Sequence, residues 1–383
     1  MSKEHLDERF LLQINYSEDE NGLQSFKTSR SRIVTFERRG SALVMLDDSA
    51  AAEPRQIFGP IPIRAETEHD LEVDLNAGLD KIYLEEDRTG EDYYGRVDKR
   101  DRRAFELLDR KVLSVACKGD LLVFDQEARR RDGERLVVHY YLSRYRPDPA
   151  FRPFEMAGLE HFGFYETYPR EGADGTVLFA MKFGASTPIV FALSATIPPP
   201  YREAVRDGVL YWNRALGVPL LETIDAPPGV EAPNAAYNVI QWVESSDYSS
   251  TSYIQSDPRT GQILHAHVFV LEETMMDGDL REQNDHLRYI VAHEIGHALG
   301  LRHNFARGGV DTVMNYYGRS EVLAIGADIG AAKPALAYDR QVVRHVYLGE
   351  PLDLAALPPF CTDGQKGCSP FPPLPQEPLA PLP

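Results

Sequence analysis

The sequence predicts an α+β fold: a β-rich N-terminal domain followed by a domain of mixed strands and helices. Three observations carry this. Short runs rich in β-branched and aromatic residues recur through residues 10–145, bounded by turn residues. A Pro-punctuated segment, Arg146-Pro-Asp-Pro149 and then Arg152-Pro153, follows them. Proline fixes φ and pushes the preceding residue out of the helical region, so this segment reads as a linker. Beyond Pro188, apolar residues recur at both strand and helix spacing. The expected divisions are 1–150 (β-rich, accessory or pro-domain), 151–185 (connecting), 186–357 (mixed) and 358–383 (Pro-rich tail). A length of 383 residues accommodates them at about 100–200 residues per domain.

The elements follow in order. Phe10–Tyr16 has strand length and mixed polarity, and Arg32–Arg38, Arg39-Gly40 and Ser41–Leu46 read as a hairpin. Leu121–Phe124 and Leu136–Leu142 are two further strands. Between the hairpin and these strands, Glu85–Arg103 carries 13 charged residues in 19, which marks a solvated loop. In the second half, Ile189–Ala195 reads as a strand. A helix from about Tyr201 to Leu216 places Val205, Val209, Trp212 and Leu216 on one stripe, and Gly217-Val-Pro219 ends it. Ala236–Val243 and Ile263–Leu271 suit strands, with Asp257–Gly261 as a turn before the second. The run Asp285–Leu299 is helical, with Leu287, Ile290 and Val291 on its buried side. Seven prolines in Pro370–Pro383 exclude a helix or central strand there.

Composition narrows the function. Asp plus Glu is 59 against 41 Lys plus Arg, a net charge of −18. Such a surface repels phosphate backbones and anionic lipid, which argues against nucleic-acid binding. No apolar run reaches the roughly 18 residues of a membrane span. Three cysteines are too few for a disulfide scaffold, but Cys361 and Cys368 bracket a loop that Gly364 and Gly367 let close. A disulfide is expected there, and with it an oxidising compartment. The charged N-terminus has no secretory h-region, so either the chain is cytoplasmic or its signal segment lies outside this sequence; the catalytic motif below favours the second.

One segment carries chemistry: Tyr289-Ile-Val-Ala-His-Glu-Ile-Gly-His-Ala-Leu-Gly-Leu-Arg-His-Asn304. His293 and His297 are four apart, so both imidazoles leave one helical face and reach a single Zn²⁺ at about 2.0–2.1 Å. Glu294 lies beside the first ligand and points next to the metal, where it takes a proton from water. Gly300 ends the helix and turns the chain, and His303 returns as a third ligand. Three protein ligands leave a fourth position open, the arrangement of catalytic zinc. The pattern is H-E-x-x-H-x-x-G-x-x-H, the metzincin signature. Val313-Met-Asn-Tyr316 stands where that class carries its Met-turn, with Met314 as the apolar floor of the site.

The run Leu287–Phe305 resembles a bacterial family of large extracytoplasmic zinc-dependent metalloproteases. Tyr211–Leu216, Asp257–Leu264 and Tyr338–Val343 resemble it too, so the likeness spans roughly residues 186–350 and leaves 1–145 uncovered. It implies a metzincin-like catalytic domain: a twisted mixed sheet, an active-site helix and a C-terminal helix. Met-x-Tyr resembles astacins and serralysins, in which the tyrosine, here Tyr316, helps stabilise the oxyanion. Asn304 departs from the Ser, Glu or Asp that matrixins, astacins and reprolysins carry after the third ligand. The resemblance also implies export, a protein or peptide substrate, and Ile263–Leu271 as the edge strand above the cleft.

Other residues are weighed against plainer roles. His265 and His267 share one face of a strand, but two ligands do not make a site. Glu272, Glu273, Asp277 and Asp279 offer hard oxygens suited to Ca²⁺, yet their spacing matches no loop motif, so an acidic turn is expected. Cys117 is read as a buried structural thiol, since its surroundings lack the matrixin latency motif. The function expected is a zinc endopeptidase with Glu294 as general base. The alternatives are an autoprocessing or single-substrate protease, and a retired metzincin fold used for binding or adhesion.

Overall fold

The structure is a computed structural model. It describes residues 1–17, 27–28, 31–49, 54–82, 105–118, 121–130, 135–156, 163–167, 170–172, 175–232, 234, 236–244, 250–306, 311–353, 360–362 and 368. Glu85–Arg103, Gly364, Gly367 and Pro370–Pro383 lie outside the described residues.

The first half builds one antiparallel sheet. Its main strands are β1 (Phe10–Ser17), β2 (Arg32–Arg39), β3 (Ala42–Asp47), β4 (Ile61–Glu66) and β5 (Leu71–Val73), then β6 (Phe105–Lys118), β7 (Leu121–Arg130) and β8 (Arg135–Arg144). Their order is β5-β4-β3-β2-β1-β8-β7-β6, and three two-residue strands extend it. The β2–β3 hairpin turns at Gly40, whose φ of +62° suits glycine. Alternate residues Phe10, Leu12 and Ile14 of β1 enter a core with Phe36, Met45 and Val138. Phe124 stacks on Tyr140 within it, with centroids 4.6 Å apart.

β6 escapes the sequence reading, and β7 runs past its expected end. β7 continues past Phe124 with Asp125, Glu127 and Arg129 on alternate positions, and in β6 the charged run Asp109–Lys111 interrupts the apolar residues, so neither presents a continuous apolar run. A one-turn helix, α1 (Leu75–Gly78), lies under this sheet, and Gln126 donates to the carbonyl of Leu79 at 3.2 Å.

The second half builds a five-stranded sheet from β9 (Ile189–Leu193), β10 (Leu221–Asp225), β11 (Asn238–Val243), β12 (Thr251–Ser256) and β13 (Ile263–Leu271). The order is β10-β9-β11-β13-β12, parallel except that β12 runs antiparallel to β13. This corrects one expectation: Ile263–Leu271 is an interior strand, and the edge is Thr251–Ser256. The physical reason lies in composition. β13 is nearly all apolar because neighbours cover it, whereas the polar Thr-Ser-Tyr-Ile-Gln-Ser gives little strand signal.

Helices α2 (Arg202–Leu216), α3 (Leu280–Ala298), α4 (Arg319–Gly330) and α5 (Ala337–Leu348) pack with this sheet. The stripe Val205, Val209, Trp212 and Leu216 is fully buried, as its spacing requires. Gly217 closes α2 in the left-handed region, and Asp279 caps α3 by accepting from the Glu282 amide at 2.9 Å. Residues 151–185 also serve this core through Met156, Phe164, Met181 and Phe183. No helix among the described residues is long and apolar enough to cross a membrane.

Candidate metal centre

Helix α3 delivers the first two histidines. His293 and His297 sit one turn apart, and their Nε2 atoms are 3.2 Å apart. The chain then leaves the helix at Gly300, where φ is +100° and a Cβ would lie 2.0 Å from the Met181 carbonyl oxygen. Only glycine fits that turn. The turn brings His303 back, with its Nε2 3.1 Å from that of His297. A tetrahedral Zn²⁺ with bonds of about 2.0–2.1 Å separates its ligand atoms by about 3.3–3.4 Å. Two of the three pairs therefore stand close to the corner spacing that zinc demands, and all three ligand atoms lie within 4.8 Å of one another.

The rings are aimed by the backbone. His293 Nδ1 donates to the Val313 carbonyl at 2.7 Å, and His297 Nδ1 donates to the Leu301 carbonyl at 2.8 Å. Each bond fixes the tautomer in which Nε2 carries no proton, as coordination requires. Burial holds His293 well below the usual imidazole range, so its ring stays neutral, as a ligand must be. Among the described residues these three histidines form the one cluster positioned to bind a metal ion.

Glu294 is buried beside the cluster, and burial raises its carboxyl well above the ordinary range. The nearby hydroxyl of Ser252, on edge strand β12, partly offsets that shift. Its Oε2 has no hydrogen-bond partner among the described residues. An orphaned buried carboxylate oxygen is costly unless something else occupies the site. The donor set and this orphan atom both fit a bound zinc with a water molecule beside it.

Met314 is fully buried, and a Cβ on Gly296 would fall 2.2 Å from its sulfur. The small residue inside the motif thus lets the Met side chain press against α3. The hydroxyl of Tyr316 lies 2.8 Å from His303 Nε2, and its ring stacks on His293 at 5.2 Å.

Six residues without an expected role at the metal support the site. Asp339 is fully buried at the start of α5. It accepts from the Val313 amide at 2.9 Å and from the hydroxyls of Thr312 and Tyr211, which pins the Met-turn. Trp212 donates to the Ala292 carbonyl at 2.8 Å, just before the first ligand. Tyr211, Trp212 and Asp339 all fall in runs that carry the family resemblance, which was the available signal. Ser252 and Tyr165, whose hydroxyl is 3.4 Å from His297 Nδ1, have no local signal, because only the fold brings them here.

The remaining candidates lie elsewhere. His267 Nε2 accepts from the Asn234 amide at 2.6 Å, and burial lowers His265 to about 4. Asp279 is engaged as a helix cap, and the acidic turn forms no second cluster among the described residues. Cys117 is exposed on β6, which corrects its reading as a buried thiol. β6 presents Leu113, Val115 and Cys117 outward, which a locally apolar strand does not reveal. Cys361 and Cys368 are joined in a disulfide.

A family model described as Met-zincin matches residues 276–308, which span α3, Gly300 and His303. No curated protein and no solved structure matches the chain. The match and the histidine cluster together support a metzincin-like zinc-dependent metalloprotease.

Proposed function

We propose that the chain is a zinc endopeptidase in which His293, His297 and His303 hold the metal through Nε2 and Glu294 is the general base. One observation carries the reading: three converging Nε2 atoms stand beside a buried carboxylate with an unpartnered oxygen. When bound, zinc supplies Lewis acidity, polarising a carbonyl and lowering the pKa of water from about 15.7 to about 7. Glu294 takes the proton from water at Oε2 and passes it to the leaving amine. Its raised basicity suits that exchange. The Tyr316 hydroxyl, within reach of the same metal corner, donates to the developing oxyanion. Met314 gives the site its apolar floor.

Strand β12 pairs only with β13 among the described residues and packs against α3, the helix that carries Glu294. An extended peptide pairs with that edge through main-chain hydrogen bonds, which makes affinity partly independent of sequence. In this reading residues 186–357 are the protease domain and 1–150 an accessory or pro-domain. The Cys361–Cys368 disulfide fits an extracytoplasmic location.

The test is hydrolysis of a broad peptide library by the zinc-loaded protein, beside Glu294→Ala and a chelated control. Cleavage lost in both controls supports the endopeptidase. Stoichiometric zinc without any cleavage would contradict it and favour a retired, binding role. Identical trimming of the chain's own tail in the wild type and in Glu294→Gln would exclude the autoprocessing alternative.

A further inference from the structure

Asn304 follows the third ligand and is buried. Its amide donates to the Met314 carbonyl at 2.7 Å, which ties the third-ligand loop to the Met-turn. Its side-chain oxygen accepts from the Cys361 amide at 3.0 Å. One residue on, the Phe305 amide donates to the Cys361 carbonyl at 2.6 Å. The Phe305 ring stacks on His303 at 4.9 Å. Phe360 packs parallel to Tyr338, at 6.2 Å, and stands where a Cβ on Gly163 would fall. The short segment Phe360–Thr362 is therefore a strap laid across the loop that carries His303. Its anchor is Cys361, and Cys361 is bonded to Cys368.

We propose that Asn304 is a positioning residue for His303, acting by gripping this strap, and that the Cys361–Cys368 disulfide sets how tightly the site retains its metal. The inference rests on the zinc-site reading above. Its physical basis is order at the third ligand. His303 lies outside any helix, unlike His293 and His297, so its ring is only as fixed as the loop around it. Two hydrogen bonds to Cys361 hold that loop from outside. A covalent link seven residues along the chain limits the freedom of Cys361 and lowers the cost of keeping it docked. Reduction removes that link. A phosphine reductant breaks the S–S bond with two electrons, two protons complete the thiols, and the phosphine leaves as its oxide with oxygen from water.

The experiment is zinc affinity by competition with a chromogenic chelator. It compares the oxidised wild type, the phosphine-reduced wild type, Cys361→Ser with Cys368→Ser, and Asn304→Ala. Asn304→Ala is repeated in a His303→Ala background, and circular dichroism confirms folding of each zinc-free protein. Supporting positions around a metal are worth roughly 10–100-fold in affinity, and a loss of that size is expected in the reduced, double-serine and Asn304→Ala proteins. In the His303→Ala background Asn304→Ala should cost nothing further, because its effect runs through that ring. Reduction provides a second route should the serine variant fold poorly. Unchanged affinity on reduction, or an Asn304→Ala loss that persists without His303, would overturn the proposal while leaving the zinc site standing. Failure of the oxidised wild type to bind zinc would overturn both.

Discussion

The Nδ1 atoms of His293 and His297 are committed to backbone carbonyls, so the site is aimed before any metal arrives. Tyr316 differs: the residue is exposed, and its hydroxyl addresses the metal corner rather than the core. Tyr316→Phe should lower kcat by roughly 10²-fold while zinc content stays at the wild-type level. Steady-state kinetics with metal analysis checks this, and unchanged turnover would reduce the ring to packing. Gly300→Ala forces a Cβ against the Met181 carbonyl at positive φ. It should destabilise the fold by at least about 2 kcal/mol, read by denaturant unfolding. At this scale the sequence was most legible. Two histidines one turn apart, a helix-ending glycine and a third histidine are local facts. Ser252 and Asp339 were not legible as partners, because their contacts cross 42 and 26 positions of chain.

Among the elements, α5 has a use beyond packing, because its Asp339 holds the Met-turn from below. Burial lifts this carboxyl to about 6, above the roughly 3.9 of an unfolded aspartate. The native state therefore keeps the proton longer than the unfolded chain. Stability contributed by this group is full below about pH 4 and falls as pH rises through about 6. Compared with Asp339→Asn in zinc-free protein, the wild type should lose about 2–3 kcal/mol of relative stability across that window. Parallel unfolding titrations measure it, and a pH-independent difference would mean the carboxyl is not titrating there. Asp339→Ala strands three donors and should cost about 2–4 kcal/mol. Helices read well from sequence because their apolar stripes are regular, as in α2. Strands read less well where one face or edge meets water: in β6 a charged run, Asp109–Lys111, interrupts the apolar residues, and β12 is polar although it borders the site.

At the level of the whole molecule, two separate cores meet at the turn between β12 and β13. Arg259 pairs with Asp48 at 2.9 Å, and Tyr145 donates to Asp257 at 2.9 Å. The N-terminal sheet thereby grips the hairpin whose free edge faces Glu294. Arg259→Ala should weaken that grip by about 1–2 kcal/mol, because it leaves a largely buried carboxylate short of a partner. Faster proteolytic cutting near residues 145–155, with zinc content unchanged, would report it. Nothing in residues 1–145 announces this contact, since it depends on Asp48 and Tyr145 meeting a turn more than a hundred positions away. The linear pattern marks where domains change but not which surfaces they share.

The central claim is that Glu294 and the three histidines act together in peptide hydrolysis. The most direct test measures zinc content and cleavage of one unfolded protein substrate on the same preparations of wild type and Glu294→Gln. Both should hold one zinc per chain, and the variant should cleave roughly 10²–10⁴-fold more slowly. Equal cleavage by the two proteins, or full activity in the chelated wild type, would contradict it.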